Sequence, residues 1–332
     1  MIISASRRTD IPAFYSEWFM NRIRERYCTV PNPFNSKQIS VIDLSPQNVE
    51  AIVFWTRNPR PLLKKLLQLD SLGYKYYFQF TLNNYPKIYE KHNPSIISTI
   101  STFKELSNKI GNGKVIWRYD PILLTNDLTV DFHLNNFENV AGKLKGFTKR
   151  VVISIVDDYK KTVRRLTKLD VNYKEKQEER TEIEELLKGI VKIAYSNNME
   201  VQSCAEAKNY GYLGIKPGKC INDDILRSEF GIDLTYKKDK SQRLACGCTV
   251  SKDIGMNDTC LMGCEYCYAV ISHEKAVNNK KKHDPKFSSL IKHKMPEETL
   301  KKIQACKQQM NFTEQQIAFR VHSVKNRSLV QF

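Results

Sequence analysis

A short β-rich run that ends in a cluster of arginine, acid or amide residues recurs six times, and this repeat constrains the fold more than any other feature. The runs are Ile2 to Ser6, Ala51 to Trp55, Tyr74 to Phe80, Lys114 to Trp117, Arg150 to Val156 and Glu200 to Ser203. Their length and their β-branched and aromatic content suit strands. Helical patterns lie between most of them. One runs from Glu17 to Arg26, one from Pro61 to Leu67 with its proline near the start, and one from Asp131 to Leu144. In the strongest, Glu178 to Asn197, the residues Ile183, Leu186, Leu187, Ile190, Val191 and Ala194 repeat at spacings of three and four behind early acids. Strand and helix in alternation predict an α/β fold with a parallel sheet and crossover helices, most simply a partial (βα)6 TIM-like barrel over residues 1–205.

The runs exit into Arg7-Arg8-Thr9-Asp10, Thr56-Arg57-Asn58-Pro59, Thr81-Leu82-Asn83-Asn84, Arg118-Tyr119-Asp120-Pro121, Asp157-Asp158 and Cys204-Ala205-Glu206. In barrels and open parallel sheets the strand C-termini converge on one face, and ligands bind there. Turn chemistry accounts for a single Asn-Pro or Asp-Pro. It does not account for charged or amide groups at nearly every exit. Arg7, Arg8, Asp10, Arg57, Arg118 and Asp120 are therefore the candidate catalytic residues, and their guanidinium groups suit a phosphate or carboxylate.

Of nine cysteines, only Cys28 and Cys306 lie outside the stretch from Cys204 to Cys267. A chain of 332 residues with 41% apolar content buries a core without disulfides. Clustered cysteines in such a chain point to metal ligation in a reducing cytoplasm. No apolar run of about 18 residues is present to span a membrane. Asp10, Glu17 and Arg22 break up the apolar run that an export signal would need after Arg7-Arg8. Cys260, Cys264 and Cys267 form a Cys-x3-Cys-x2-Cys triplet, able to hold three corners of a four-iron, four-sulfur (4Fe-4S) cluster and to leave its fourth iron open. Tetrahedral zinc, with Cys246, Cys248 or His273 as fourth ligand, is the competing reading. Cys204, Cys220, Cys246 and Cys248 suit a second, closed 4Fe-4S cluster or a structural zinc. In Cys246-Gly247-Cys248 the glycine leaves the backbone free to turn both thiolates to one centre. The expected arrangement is a cysteine-rich iron–sulfur segment, residues 206–295, packed on the C-terminal face of the barrel.

Charge points to an anionic partner. The chain has 53 Lys+Arg against 36 Asp+Glu, a net of +17. From Ile271 onward 13 Lys+Arg face 5 Asp+Glu, Lys280-Lys281-Lys282 among them. Such a run is read either as a solvated segment or as an electrostatic footprint for nucleic acid. Residues 296–332 form a basic C-terminal extension that opens with a short helix at Pro296.

Cys260, Cys264, Tyr266 and Cys267 resemble the cluster motif of the radical S-adenosylmethionine (radical SAM) superfamily, in which an aromatic residue usually precedes the last cysteine. The resemblance implies that the triplet holds a 4Fe-4S cluster whose open iron is chelated by SAM. It also implies that Tyr266 lies beside the adenosyl group and that an external electron donor such as flavodoxin or ferredoxin reduces the cluster. SAM then splits into methionine and a 5′-deoxyadenosyl radical, which takes a hydrogen from the substrate. The superfamily builds on a partial barrel of the expected kind. Two departures stand out: the triplet follows the sixth run instead of the first, and no Gly-Gly pair is present to hold the SAM amino group, for which Glu206 is the candidate substitute.

Longer motifs run from Ser6 to Pro12, Trp55 to Pro59, Trp117 to Pro121, Ser203 to Glu206, Cys246 to Cys248 and Ser251 to Gly255. They are similar to the uncharacterised family known as domain of unknown function 1848, from residue 1 to about 290. The expectation is a cytoplasmic radical SAM enzyme acting on an anionic substrate, with nucleic acid as one candidate. The alternative is a non-catalytic nucleic-acid-binding protein stabilised by zinc or by a cluster.

Overall fold

The β-rich runs are apolar enough to be buried on both faces, and they become strands of one parallel sheet covered by the intervening helices. Strand β1 (Ile2–Ala5) leads through α1 (Ile11–Phe14) and α2 (Ser16–Glu25) into an antiparallel pair, β2 (Tyr27–Pro31) and β3 (Ile39–Asp43). Next come β4 (Ala51–Thr56), α3 (Arg60–Leu63), α4 (Leu66–Ser71), β5 (Tyr76–Thr81), α5 (Ile96–Ile110) and β6 (Val115–Ile122). They are followed by α6 (Val130–Leu144), β7 (Arg150–Ile155), α7 (Lys160–Lys168), α8 (Thr181–Ser196) and β8 (Glu200–Ser203). The two-residue strand β9 (Lys216–Pro217), α9 (Asp223–Phe230), the two-residue β10 (Lys252–Asp253) and α10 (His273–Lys280) complete the series. The computed structural model describes residues 1–308, and a further helix begins at Glu297.

The fold is mixed α/β with one large sheet of order β10-β1-β4-β5-β6-β7-β8-β9, parallel at every pairing. Among the described residues it does not close into a barrel, and β10 and β9 are its edges. Eight strands stand where six were expected, because a two-residue strand carries no readable period. Both added strands come from residues 206–295, so this segment extends each edge of the sheet as well as lying against its face. The run from Pro61 to Leu67 is broken into α3 and α4. Helix α5 was not expected from its serines and threonines; Thr99 and Thr102 return their hydroxyls to Ser95 O and Ser98 O, which satisfies them inside the helix.

Alternation along the strands divides the core in two. Ile3, Ile52, Phe54, Phe78, Phe80, Trp117, Tyr119, Val151 and Ile153 join the helices in the larger cluster. Ile2, Ala51, Val53, Tyr77, Ile116 and Val152 point to the opposite face, where they pack with Ile221, Ile225 and Leu226 and with Cys220, Cys246 and Cys248.

The lysine run is not free in solvent throughout. Lys280 Nζ donates to Phe14 O at 2.9 Å and lies over the Tyr15 ring, 4.2 Å from its centroid. Beyond it, Phe287 O, Pro285 O and Lys286 O accept from Trp18, Asn21 and Arg22, which lays this segment along α2. The rest of the expected extension, residues 309–332, lies outside the described residues. No helix among the described residues is long and apolar enough to cross a membrane.

His133 shows how tightly polar groups are fixed in the core. It is fully buried, its Nδ1 2.7 Å from Tyr119 OH and its Nε2 3.0 Å from Leu123 O, and burial lowers its pKa to about 4. A base with a depressed folded pKa stabilises fully above its unfolded value near 6.5, and that stability is lost as pH falls from there toward about 4, roughly 3 kcal/mol in all. Histidine-ring NMR at pH 5.5 is expected to find His133 neutral; a His133 midpoint near 6.5 would contradict this placement.

Candidate functional site

The C-terminal ends of β1, β4, β5, β6, β7 and β8 open on a cavity of about 330 Å³, whose wall includes Thr56, Thr81, Asp120, Ile155 and Cys204. All seven clustered cysteines line it: Cys204, Cys220, Cys246, Cys248, Cys260, Cys264 and Cys267. So do Arg7, Arg8, Asp10, Arg57, Arg118, Asp120 and Tyr266. Of the candidate residues only Glu206 is absent from the wall. Its Oε1 accepts from Ile155 N at 3.0 Å, and burial pushes its carboxyl up to about 8, with Cys204 and Asp157 adding to the rise.

The triplet reaches this cavity although it follows the sixth long strand, because β10 pairs parallel with β1 and brings the chain back to the start of the sheet. Asp253, at the end of β10, accepts from Ser4 Oγ and Ser6 Oγ at 2.7 Å, from Arg7 N and Gly255 N at 2.9 Å and from Arg8 Nε at 3.2 Å. Arg8 also donates to Asp253 O, so this candidate catalytic arginine is engaged in anchoring the segment.

From there the cysteine loop lies against the chain after β5. Glu90 and Cys264 form an antiparallel bridge, His92 N donates to Met262 O at 3.1 Å and Glu265 N to Tyr89 O at 3.0 Å. Gly263 has φ +67°, and a Cβ there would stand 2.8 Å from the His92 ring, so a side chain is excluded twice over. Arg165 of α7 clamps the other side: its Nε donates to Glu265 O at 2.7 Å, Nη1 to Val270 O at 2.9 Å and to Ile271 O at 3.2 Å, and Nη2 to Cys267 O.

Beside the triplet, Arg57 Nη1 donates to Glu90 Oε1 at 2.7 Å and Nη2 to the Tyr266 hydroxyl at 2.6 Å. That hydroxyl donates in turn to Glu90 and accepts from Asn83 at 3.1 Å. Asp10 caps α1 through Ala13 N and accepts from Arg57 N at 2.7 Å, tying the β1 exit to the β4 exit. Burial raises its carboxyl to about 6 against the pull of these donors. Burial also raises the free thiols of Cys260 and Cys264, the latter to about 12 even with Arg57 alongside.

The other four thiols form a chain. The sulfurs of Cys204 and Cys220 are 3.2 Å apart, Cys248 Sγ accepts from Cys220 N at 3.2 Å and Ile221 N at 3.4 Å, and Arg118 Nη1 donates to Cys220 Sγ at 2.9 Å. The Cys220 thiol and then Arg118 lower Cys204 to about 7, and the thiols of Cys220 and Cys246 hold Cys248 far below the ordinary thiol range. Arg118 has further partners: it pairs with Asp120, whose other oxygen accepts from Ser154, and its Nη1 reaches Gln79 Oε1 at 3.3 Å. Burial alone would raise the Asp120 carboxyl, but Arg118 and Ser154 outweigh it and hold it below the usual range. Arg7 lies over the Trp55 ring at 5.2 Å, beside Cys248 and Cys220, and its Nη2 is buried with no hydrogen-bond partner.

Both thiol groups suit a soft metal centre: sulfur donors on one wall, with N–H groups directed at Cys220 and Cys248 in one and at Cys267 Sγ, from Ala269 N at 3.4 Å, in the other. Among the described residues no three His, Cys, Asp or Glu side chains surround one point as a single ion would require. Sequence reasoning missed Glu90, Arg165 and the anchoring part of Asp253. The first two lie away from any strand exit, and only the motif from Ser251 to Gly255 includes the third.

A family model described as Domain of unknown function (DUF1848) matches residues 2–269 of the chain. No curated protein and no solved structure matches it.

The Arg165 clamp makes a direct prediction. In Arg165→Ala, amide hydrogen exchange across residues 260–271 is expected to speed up by at least tenfold while the strands keep their protection. Unchanged exchange in that loop would mean that the carbonyls are held by other contacts.

Proposed function

The chain belongs to the family described as domain of unknown function (DUF1848), and from that premise we propose that it is a radical SAM enzyme acting on an anionic substrate. One observation carries the reading: the Cys-x3-Cys-x2-Cys triplet shares a single cavity with the C-terminal ends of six consecutive parallel strands. In this reading β1, β4, β5, β6, β7 and β8 make the partial (βα)6 TIM-like barrel, and β9 and β10 are short additions at its edges.

Cys260, Cys264 and Cys267 would hold a 4Fe-4S cluster with one open iron, and Cys204, Cys220, Cys246 and Cys248 a second metal centre, iron–sulfur in preference to zinc. When bound and reduced by a flavodoxin- or ferredoxin-like donor in the cytoplasm, the open cluster supplies the electron that cleaves SAM to methionine and a 5′-deoxyadenosyl radical.

The protein's own part is to orient and to shield. Tyr266, with its hydroxyl fixed by Arg57, Asn83 and Glu90, presents a rigid ring beside the triplet for the adenosyl group. Asp10 and Asn83 lock the spacing of neighbouring strand exits; Asn83 does so through Asp120 N and O, at 2.8 and 3.0 Å. Arg7 lines the cavity over Trp55 and beside Cys248 with no carboxylate among the described residues paired to it, and is the cation proposed for the anionic group of the substrate. Tyr268 donates to Arg7 O at 2.8 Å and packs near Tyr159, a pair of rings that narrows the cavity against water. Glu206, the candidate for the SAM amino group, holds Ile155 N through one carboxylate oxygen and lies outside the cavity wall.

Anaerobic reconstitution with iron and sulfide tests this. The protein is expected to take up about eight irons and to release 5′-deoxyadenosine from SAM on reduction with dithionite. Cys264→Ala should keep about four irons and form no 5′-deoxyadenosine. Stoichiometric zinc on the triplet with no SAM cleavage would sink the proposal, and salt-sensitive nucleic-acid binding in that case would favour a non-catalytic binding protein.

A further inference from the structure

The two thiol groups face the same cavity but differ in what touches their sulfurs. Arg118 is 5% exposed and donates Nη1 directly to Cys220 Sγ at 2.9 Å. Its Nε and Nη2 are held on Asp120 and its Nη1 also reaches Gln79 Oε1 at 3.3 Å, so the guanidinium cannot swing away from the sulfur. Cys220 is fixed as firmly, since its carbonyl accepts from Tyr77 OH at 2.6 Å and Gln79 Nε2 at 3.0 Å. Two backbone N–H groups add their bonds to Cys248 Sγ. At the triplet no side-chain cation among the described residues donates to a sulfur: the N–H···S bond there is Ala269 N to Cys267 Sγ at 3.4 Å, Arg57 gives both Nη atoms to Glu90 and Tyr266, and the carboxylates of Asp10 and Glu90 stand beside Cys260 and Cys264, whereas the one beside Cys204, Asp120, is itself paired with Arg118.

One-electron reduction adds a negative charge to an iron–sulfur centre and its thiolates, with no bond formed or broken. N–H···S bonds and adjacent cations stabilise that charge and raise the reduction potential, whereas adjacent carboxylates lower it. We infer that Arg118 is a tuning residue that places a four-cysteine centre on Cys204, Cys220, Cys246 and Cys248 at a higher potential than the centre on Cys260, Cys264 and Cys267. The four-cysteine centre then accepts an electron from an external donor, or from a substrate radical in the shared cavity, more readily than the triplet does. This rests on the proposal that both groups hold 4Fe-4S clusters.

Stepwise dithionite reduction of the reconstituted full-length protein, followed by EPR, tests it. A Cys260→Ala, Cys264→Ala, Cys267→Ala variant identifies the four-cysteine signal. That signal is expected to develop first in the wild-type protein. Arg118→Gln should move its midpoint to lower potential at unchanged iron content and leave the triplet's midpoint in place, and Arg118→Lys, which keeps the charge, should fall between. An unmoved midpoint in a fully loaded Arg118→Gln protein would overturn the inference. If that variant does not load iron, the wild-type order of reduction decides, and appearance of the triplet signal first overturns it. Zinc or no metal on the four cysteines overturns it as well, while 5′-deoxyadenosine formation by the wild-type protein would leave the proposed activity standing.

Discussion

The five hydrogen bonds that converge on the Asp253 carboxylate hold the rest of the site in place. Burial would raise this carboxyl, but Arg8, Ser4 and Ser6 outweigh it and keep it ionised. A buried carboxylate left without such donors would cost several kcal/mol, so the donors and the acid hold one another in register. Their effect is topological. They tie β10 to the edge of β1, and the cysteine loop that follows starts beside the first strand although it comes late in the chain. Gly255 completes the joint: a Cβ there would stand 2.1 Å from Ser6 Oγ, so only glycine lets the segment approach the strand exit. The late position of the triplet in the sequence is thus compatible with an early position in space.

Charge in the cavity is used in pairs. Arg8 is matched with Asp253, Arg57 with Glu90, Arg118 with Asp120 and Arg243 with Asp157. The first three are largely buried and add little net stability, since desolvation offsets their attraction, but removing one partner strands a charge; the pair of Arg243 and Asp157 is exposed. Their use here is geometric. Each pair joins groups from different strand exits or from the cysteine segment, or, as with Arg118 and Asp120, orients a side chain toward a thiol. The net charge of +17 therefore says little about this face, where most cations already have an acid or a sulfur.

The sequence made the strands and their exits legible because a buried parallel strand is short, apolar and bounded by polar residues. Ser203 and Cys204 could be placed at the end of β8 on that basis alone. The antiparallel pair β2 and β3 went unread, since it interrupts the strand–helix alternation, and β9 and β10 are too short for any period. At the site, residues on strand exits were found and residues acting from elsewhere were not. Arg165 looks like any surface arginine on a basic helix, yet its donors meet four carbonyls of a loop about a hundred positions away. Glu90 sits on a long loop with nothing local to mark it, and only the fold brings it to Arg57 and Tyr266. Both depend on contacts far apart in the chain, which spacing cannot reveal.

The alternation of side chains along β6 explains why core and site coexist so closely. Trp117 and Tyr119 point into the larger apolar cluster, where Trp117 stacks on Phe137 at 4.6 Å and Tyr119 meets His133. Arg118 and Asp120, one residue out of phase, point to the cavity. A slip of one residue would bury the guanidinium among aromatics and turn the indole toward the thiols, so the packing of Trp117 fixes the register that aims Arg118 at Cys220. The same logic holds on β5, where Phe78 and Phe80 belong to the helix-covered core and Tyr77 and Gln79 reach across to the Cys220 carbonyl. The four-cysteine group is therefore tied, through Cys204 at the end of β8 and through the Cys220 carbonyl, to strands whose opposite faces are locked in the main core.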